Sequence, residues 1–349
     1  MRSSYREDDV ILLLKDITGQ VQPQPTEERE KLIQSGKHYC EMLPIEYVPS
    51  QKYMEVYKEA LEKYSTPTAH AVGVLSDKII EQRGKDVVLV SLARAGIPIG
   101  ILVKRYIKKK YNIDVPHYSI SIIRGRGIDD NAMKYLLDKY EPSQLLFVDG
   151  WIGKGAILNE LKKDIEAYEG VSADIAVVAD PANVTTLCGT HEDLLIPSSC
   201  LNSTVSGLVS RTFLRDDIIG PDDFHGAVYY GELAESDLSY EFIDAIERCF
   251  DMEVTESSEQ IEGLGVDEVR QIAQKFDIED INLVKPGIGE TTRVLLRRVP
   301  WKVLIDEKYK DDQALSHIVR LAQEKSVDIE YYPLHHYKCC GIIKKLADA

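Results

Sequence analysis

The spacing of apolar positions changes period along the chain. Residues 51–64 (QKYMEVYKEALEKY) and 72–82 place apolar side chains three and four apart, which predicts two helices. A different rhythm begins at residue 86. The β-branched run DVVLVSL (86–92) gives way to a Gly/Pro turn and then to the amphipathic stretch IPIGILVKRYIKKKY. The strand pattern returns in VPHYSISII (115–123), followed by a polar Gly/Arg loop and the helical DNAMKYLLDKY. The apolar strand QLLFVDG (144–150), the helix AILNELKKDIEAY and the strand ADIAVVAD (173–180) close the series. Strands alternating with helices predict an α/β fold, a parallel sheet covered on both faces. Ligands of such sheets sit beyond the carboxyl ends of the strands. The loops after Leu92, Val148 and Ala179 are therefore where chemistry is expected.

The pattern then breaks. Residues 251–262 (DMEVTESSEQIE) are acidic with no apolar period, which predicts a linker at 251–264 between residues 1–250 and 265–349. Beyond it lie the helix GVDEVRQIAQKF and a second α/β series: helix ETTRVLLRRV, strand WKVLI, helix QALSHIVRLAQEK, strand VDIEYY, helix CCGIIKKL. These make a small three-layer α/β domain. Charge supports the division. The chain carries −16 in all, but residues 281–349 sum to +3 and the rest to −19. A protein this acidic does not wrap nucleic acid over its whole surface.

With 349 residues and 44% hydrophobic content, the chain can bury the cores of two domains. No apolar run approaches the roughly 20 residues that span a bilayer. The N-terminus places acids before a short apolar run, unlike a secretory signal. The expectation is a soluble cytoplasmic protein that keeps off the membrane. Six cysteines without a CxxC pair fit reduced intracellular thiols and give no structural-zinc spacing.

Two turns carry candidate chemistry. In LLFVDGWIGKGAI (145–157) the strand delivers Asp149, and Gly150, Gly153 and Gly155 let the backbone approach a ligand before a helix starts. Free N–H groups and the dipole at that helix start suit a phosphate, and Lys154 adds a cation. Gly153, Lys154, Gly155, Ala156 and Ile157 form the candidate phosphate cradle. Asp149 is suited to ribose hydroxyls or to Mg²⁺ held through water. In VSLARAGIPIG (90–100) a second strand runs into a helix, with Arg94, Ala95 and Gly96 at the turn. A guanidinium fork suits a diphosphate.

Together these turns resemble those of type I phosphoribosyltransferases, which use 5-phosphoribosyl 1-diphosphate (PRPP). In that family an apolar strand ends in two acids before the phosphate loop, and the diphosphate loop often reads like ARGGLPLA. Here ARAGIPIG (93–100) and LLFVDGWIGKGAI match over about residues 85–180. Gly150 stands where the second acid is expected, and Gly153, Lys154 and Ile157 replace the usual threonines. The resemblance implies Mg²⁺, a flexible loop RGRGIDD (124–130) whose Arg124 and Arg126 close over the departing diphosphate, and an acceptor pocket built from residues 35–49 and 180–215. Dimers are common in that family, which makes a homodimer a candidate assembly.

The whole-chain pattern resembles the StiP family of tellurium-resistance-associated gene clusters, which joins a phosphoribosyltransferase-like domain to a pelota-type RNA-binding domain. The resemblance implies a pentosyltransferase acting in nucleoside-like metabolite biosynthesis or stress response. It leaves open a non-catalytic PRPP or nucleotide sensor, and a cysteine peptidase, as StiP proteins are also called. Asp180 and Cys200 are the acceptor-side or nucleophile candidates, with His191 and His225 as partners of Cys200. KPGIGETTRVLLRRV (285–299) resembles the turn and helix with which pelota and L7Ae domains contact RNA. That likeness implies RNA contacts from Gly287, Gly289, Glu290, Thr291 and Arg293, with Lys338 on a second lobe.

Overall fold

The computed structural model describes residues 1–256 and 262–345. Its larger sheet has six strands, all parallel, in the order Ile11–Leu12, His117–Ile120, Val88–Leu92, Leu145–Trp151, Ile175–Ala179, Cys188–Thr190. Val88–Leu92 and Ile175–Ala179 are buried at every position. That is why their apolar runs are continuous rather than alternating. Helices Gly96–Tyr111 and Gln51–Arg83 cover one face, and Asp130–Leu137 with Ala156–Ile165 the other.

The two helices expected at 51–64 and 72–82 are one, Gln51–Arg83, running through Pro67. An interior proline costs an unsupported helix about 3 kcal/mol. Here Ala69, Val72, Leu75 and Ile79 bury against the sheet domain and offset that cost. The last strand lies so close to this helix that a Cβ at Gly189 would stand 2.1 Å from the Ala71 carbonyl oxygen. Gly189→Ala is therefore expected to destabilise the protein by about 3 kcal/mol, read as a lower urea midpoint at unchanged slope.

The C-terminal sheet has four strands in the order Val284–Pro286, Cys339–Ile343, Pro300–Ile305, Asp328–Tyr331. Only the last pair is parallel. The expected helix CCGIIKKL is the strand Cys339–Ile343, buried throughout and paired on both sides. A short apolar run fits a buried strand as well as a buried helix, and two waiting strand edges decide between them. The helices Gly265–Lys275, Ile288–Arg297 and Ser316–Glu324 complete the domain. Of the expected linker, residues 257–261 lie outside the described residues, and 251–256 form no regular element.

Candidate functional site at the domain junction

Both candidate turns sit at the carboxyl edge of the parallel sheet, side by side. Val88–Leu92 ends at a cis Ala93–Arg94 peptide, and the Gly96–Tyr111 helix starts at once. A Cβ on Gly96 would stand 2.4 Å from the Val148 carbonyl oxygen, so the two turns pack backbone to backbone. The position of the missing second acid is not closed by sterics. A Cβ on Gly150 would meet only the Ala95 carbonyl oxygen, at 3.5 Å.

The C-terminal domain is docked directly on the phosphate-type turn. Lys154 donates to the main-chain oxygens of Ile281 (2.6 Å) and Val284 (3.0 Å), and Tyr337 donates to that of Gly153 (2.6 Å). Burial, with Lys285 nearby, lowers the Lys154 pKa to about 8. Its ammonium is thus engaged by the partner domain. Gly155 (φ +87°) caps the Ala156–Ile165 helix, and Ala156 and Ile157 begin it half-buried. Asp149 accepts a hydrogen bond from the Gly150 N–H (2.8 Å). Burial raises its pKa to about 6, against the opposing pull of the Arg293 guanidinium.

Arg293 belongs to the Ile288–Arg297 helix. It lies over the Trp151 ring at 4.5 Å from the centroid, and donates to the Ser199 carbonyl (3.3 Å) and to Glu290 (3.3 Å). Gly287 and Thr291 are buried, and Gly289 and Glu290 face Ser199 and Gly153 of the larger domain. The expected RNA-contacting turn therefore forms the inner face of the junction. The free N–H groups at its helix start explain the placement, because Asp193 takes the Ile288 N–H (2.9 Å) and the Lys338 N–H (2.9 Å). The Lys338 ammonium pairs with Asp312. Asp193 was not legible as a site residue, since its two partners lie 95 and 145 positions away.

Arg94 faces elsewhere, into a cleft of about 1220 Å³ between the domains. It donates to the Val209 carbonyl (2.7 Å) and to Asn202 (3.3 Å), and lies 3.6 Å from Glu46. The segments 44–49 and 200–202 from the larger domain line the same cleft, as do Arg29 and Arg211. Arg297 and Arg298 line it from the smaller domain. Burial first, then Arg29 and Arg94, lower the Arg211 pKa to about 10. Burial, Arg293 and Arg94 do the same for Arg297, which also drops to about 10. Crowded guanidinium groups repel one another, and an anion between them relieves that repulsion. Arg211 carries no local pattern in the sequence that would mark it.

Cys200 is on the cleft wall, 1% exposed, and burial pushes its thiol up to about 12. Neither expected histidine serves it. His191 lies against Cys188, and His225 bonds the Ser121 hydroxyl (2.9 Å). Arg124 and Arg126 do not line the cleft. Arg124 donates to Asn282 (2.8 Å) and Arg126 to Glu41 (2.7 Å), which ties their loop to both domains. Asp180 caps its own loop, accepting from the Val184 and Thr185 N–H groups.

Comparison with known proteins places this arrangement. The family model described as tellurite-like stress resistance cysteine protease StiP matches residues 3–247. The chain belongs to the StiP family. It is 33% identical to the cysteine protease StiP of Acinetobacter baylyi (strain ATCC 33305 / BD413 / ADP1), covering 98% of this chain and 94% of that protein. A PELOTA RNA binding domain model matches residues 263–345 of this StiP-family chain. Among solved structures, a hypoxanthine-guanine phosphoribosyltransferase of Leishmania tarentolae in complex with GMP aligns at 13% identity and TM-score 0.27, over 36% of this chain and 72% of that one. A purine phosphoribosyltransferase of Pyrococcus horikoshii Ot3 aligns at 16% identity and TM-score 0.24, over 35% and 77%. The parallel-sheet α/β domain followed by a small α/β domain rests on the strand pairing itself. Among the described residues, no helix is long and apolar enough to cross a membrane.

Proposed function

We propose that this StiP-family protein binds PRPP, or a closely related phosphosugar diphosphate, in the arginine-lined cleft and transfers its pentosyl group to an acceptor. The observation that carries the reading is the crowding of Arg94, Arg211 and Arg297 on one cleft in a chain of net charge −16. Arg94 stands at the carboxyl end of a parallel strand, where such sheets hold ligands. In the reaction the bond from the ribose C1 to the diphosphate oxygen breaks with its electron pair leaving on the diphosphate. The acceptor supplies the pair for the new bond at C1. Arg94, Arg211 and Arg297 neutralise the charge that grows on the leaving group, while Asn202 helps to hold the Arg94 fork.

Asp149 is the one carboxylate that the Leu145–Trp151 strand supplies, and Arg293 opposes it. This does not make a self-sufficient magnesium site. A Mg²⁺ ion in this reading arrives on the diphosphate, as magnesium commonly does with substrate phosphates.

The test is a calorimetric titration of the full-length chain with PRPP, with and without Mg²⁺, against inorganic sulfate as an anion control. Micromolar binding of PRPP with much weaker binding of sulfate is expected. Equal, millimolar binding of both would sink the phosphosugar reading and leave a general anion cleft.

A second reading is favoured by the name of the Acinetobacter relative and by one observation: Cys200 lines the same cleft. As a peptidase, the protein would lose peptide cleavage in Cys200→Ala while PRPP left the rate unchanged. The match to an RNA-binding domain supports RNA as a partner of the smaller domain. The junction then has to open to free the Gly287–Arg293 face.

A further inference from the structure

The last two strands of the parallel sheet assemble a second site, independent of the arginine cleft. Ile175–Ala179 ends at Asp180, and the chain returns as the neighbouring strand Cys188–Thr190, in register Val177 with Cys188 and Ala179 with Thr190. The Asp180 N–H donates to the Thr190 carbonyl (2.9 Å), which fixes Asp180 beside His191. Within this frame the Cys188 Sγ lies 3.4 Å from the His191 Nε2. The His191 Nδ1 lies 2.9 Å from the Asp180 main-chain oxygen. That contact makes Nδ1 the protonated nitrogen and leaves Nε2 unprotonated, with the Cys188 Sγ beside the ring, 3.8 Å from Nδ1 as well.

The Asp180 side chain is fully buried. One carboxylate oxygen accepts from the Val184 (2.7 Å) and Thr185 (2.8 Å) N–H groups, while Oδ1 has no hydrogen-bond partner. An unpartnered buried carboxylate oxygen is costly to keep. One ligand atom each from Asp180, Cys188 and His191 falls within a mutual distance of 4.8 Å. Tetrahedral zinc, with bonds of about 2.3 Å to sulfur and 2.0 Å to nitrogen, holds those two atoms about 3.5 Å apart. The observed separation is 3.4 Å, and because the sulfur lies beside the ring rather than along the Nε2 lone pair, a turn of the imidazole or of the thiol completes the site when the ion enters.

We propose that Asp180, Cys188 and His191 bind one divalent transition-metal ion of the zinc class, through carboxylate, thiolate and imidazole, with a fourth position for water. Thiolate and imidazole select such ions over magnesium or calcium. The second ring nitrogen held by a main-chain carbonyl is the usual outer support of a metal-bound histidine. A nucleophilic role for Cys188 fits less well. The residue is fully buried, beyond the reach of a peptide bond, whereas the His191 side chain is a quarter exposed and gives an ion its path. Cys188 and His191 are only three positions apart, but Asp180 joins them through strand pairing.

The experiment uses the metal-stripped full-length protein and Co²⁺ as a spectroscopic probe. One equivalent should bring up a thiolate-to-cobalt absorption in the near ultraviolet together with strong visible bands of a tetrahedral ion, and Zn²⁺ should abolish both. Cys188→Ser should lose the thiolate band. His191→Gln, at a partly exposed position, should weaken Co²⁺ binding at least tenfold with unchanged far-ultraviolet circular dichroism. Cys40→Ser should keep the full signal, although the Cys40 Sγ lies 2.9 Å from His38 Nδ1. The proposal is overturned by a wild type that shows no thiolate band at one equivalent, or by a band that survives in folded Cys188→Ser. It is equally overturned if Cys188→Ser abolishes peptide cleavage in a protein that binds no Co²⁺.

Discussion

Replacing Arg94 and Arg297 together by alanine is expected to weaken PRPP binding by two to four orders of magnitude. The two guanidinium groups come from different domains and face one cleft. Each charge-assisted hydrogen bond to a phosphate oxygen contributes about 1.5–3 kcal/mol, and two of them convert to that range of affinity. Stability should move little, because Arg94 is among the charges that lower the Arg297 pKa, and relief of that repulsion offsets the loss of the Arg94 contact with Glu46. The expected pattern is therefore a binding loss without a lower melting point, read by calorimetry and thermal unfolding on the same samples. Arg124→Ala is the contrast, since its side chain bonds Asn282 and lies outside the cleft. A double variant that binds PRPP as the wild type does would remove the cleft from the proposed reaction.

The second large effect concerns the junction itself. Asp193 is 8% exposed and holds the Ile288 and Lys338 N–H groups with its two oxygens. Asp193→Ala leaves both donors buried without a partner, at about 1–3 kcal/mol each. The smaller domain should then undock, releasing Lys154 from the Ile281 and Val284 carbonyls. Urea unfolding is expected to be a single transition in the wild type and to split into two in this variant. Asp193→Asn keeps one acceptor oxygen and should cost less.

The pH dependence separates these variants further. Burial raises the Asp193 pKa from 3.8 to about 6. The folded state therefore holds this proton more tightly than the unfolded one. The associated stability is complete below about pH 4 and is lost as pH rises through 6. Asparagine does not titrate. The stability difference between wild type and Asp193→Asn should thus shrink by about 2 kcal/mol between pH 4 and pH 7. A difference that stays constant across that window would mean that Asp193 is charged throughout.

The pattern of apolar positions determined most of the architecture. Continuous β-branched runs at 88–92 and 175–179 could only be buried central strands, and helical periods between them required parallel crossovers. The two turns at Arg94 and Asp149 were legible for the same reason, because small residues at a strand end leave a recognisable trace. Local pattern misled where a neighbour held the deciding vote. Residues 51–64 and 72–82 looked like two helices until the sheet domain buried both sides of Pro67 in one, and CCGII looked helical until two strand edges claimed it.

Only the tertiary structure decided what the turns face. Lys154 was read as a phosphate ligand from its glycine neighbours, yet its ammonium is bonded to carbonyls some 130 residues away. Arg293 and Thr291 were read as an RNA-facing surface, and the docking of their helix turns them inward. Arg211 joined Arg94 in the cleft, and Asp180 joined Cys188 and His191, through folding alone. Periodicity reports how one segment meets a generic apolar interior, which is a local property. Which charged groups meet across a junction depends on the relative placement of whole elements, and no local spacing encodes that.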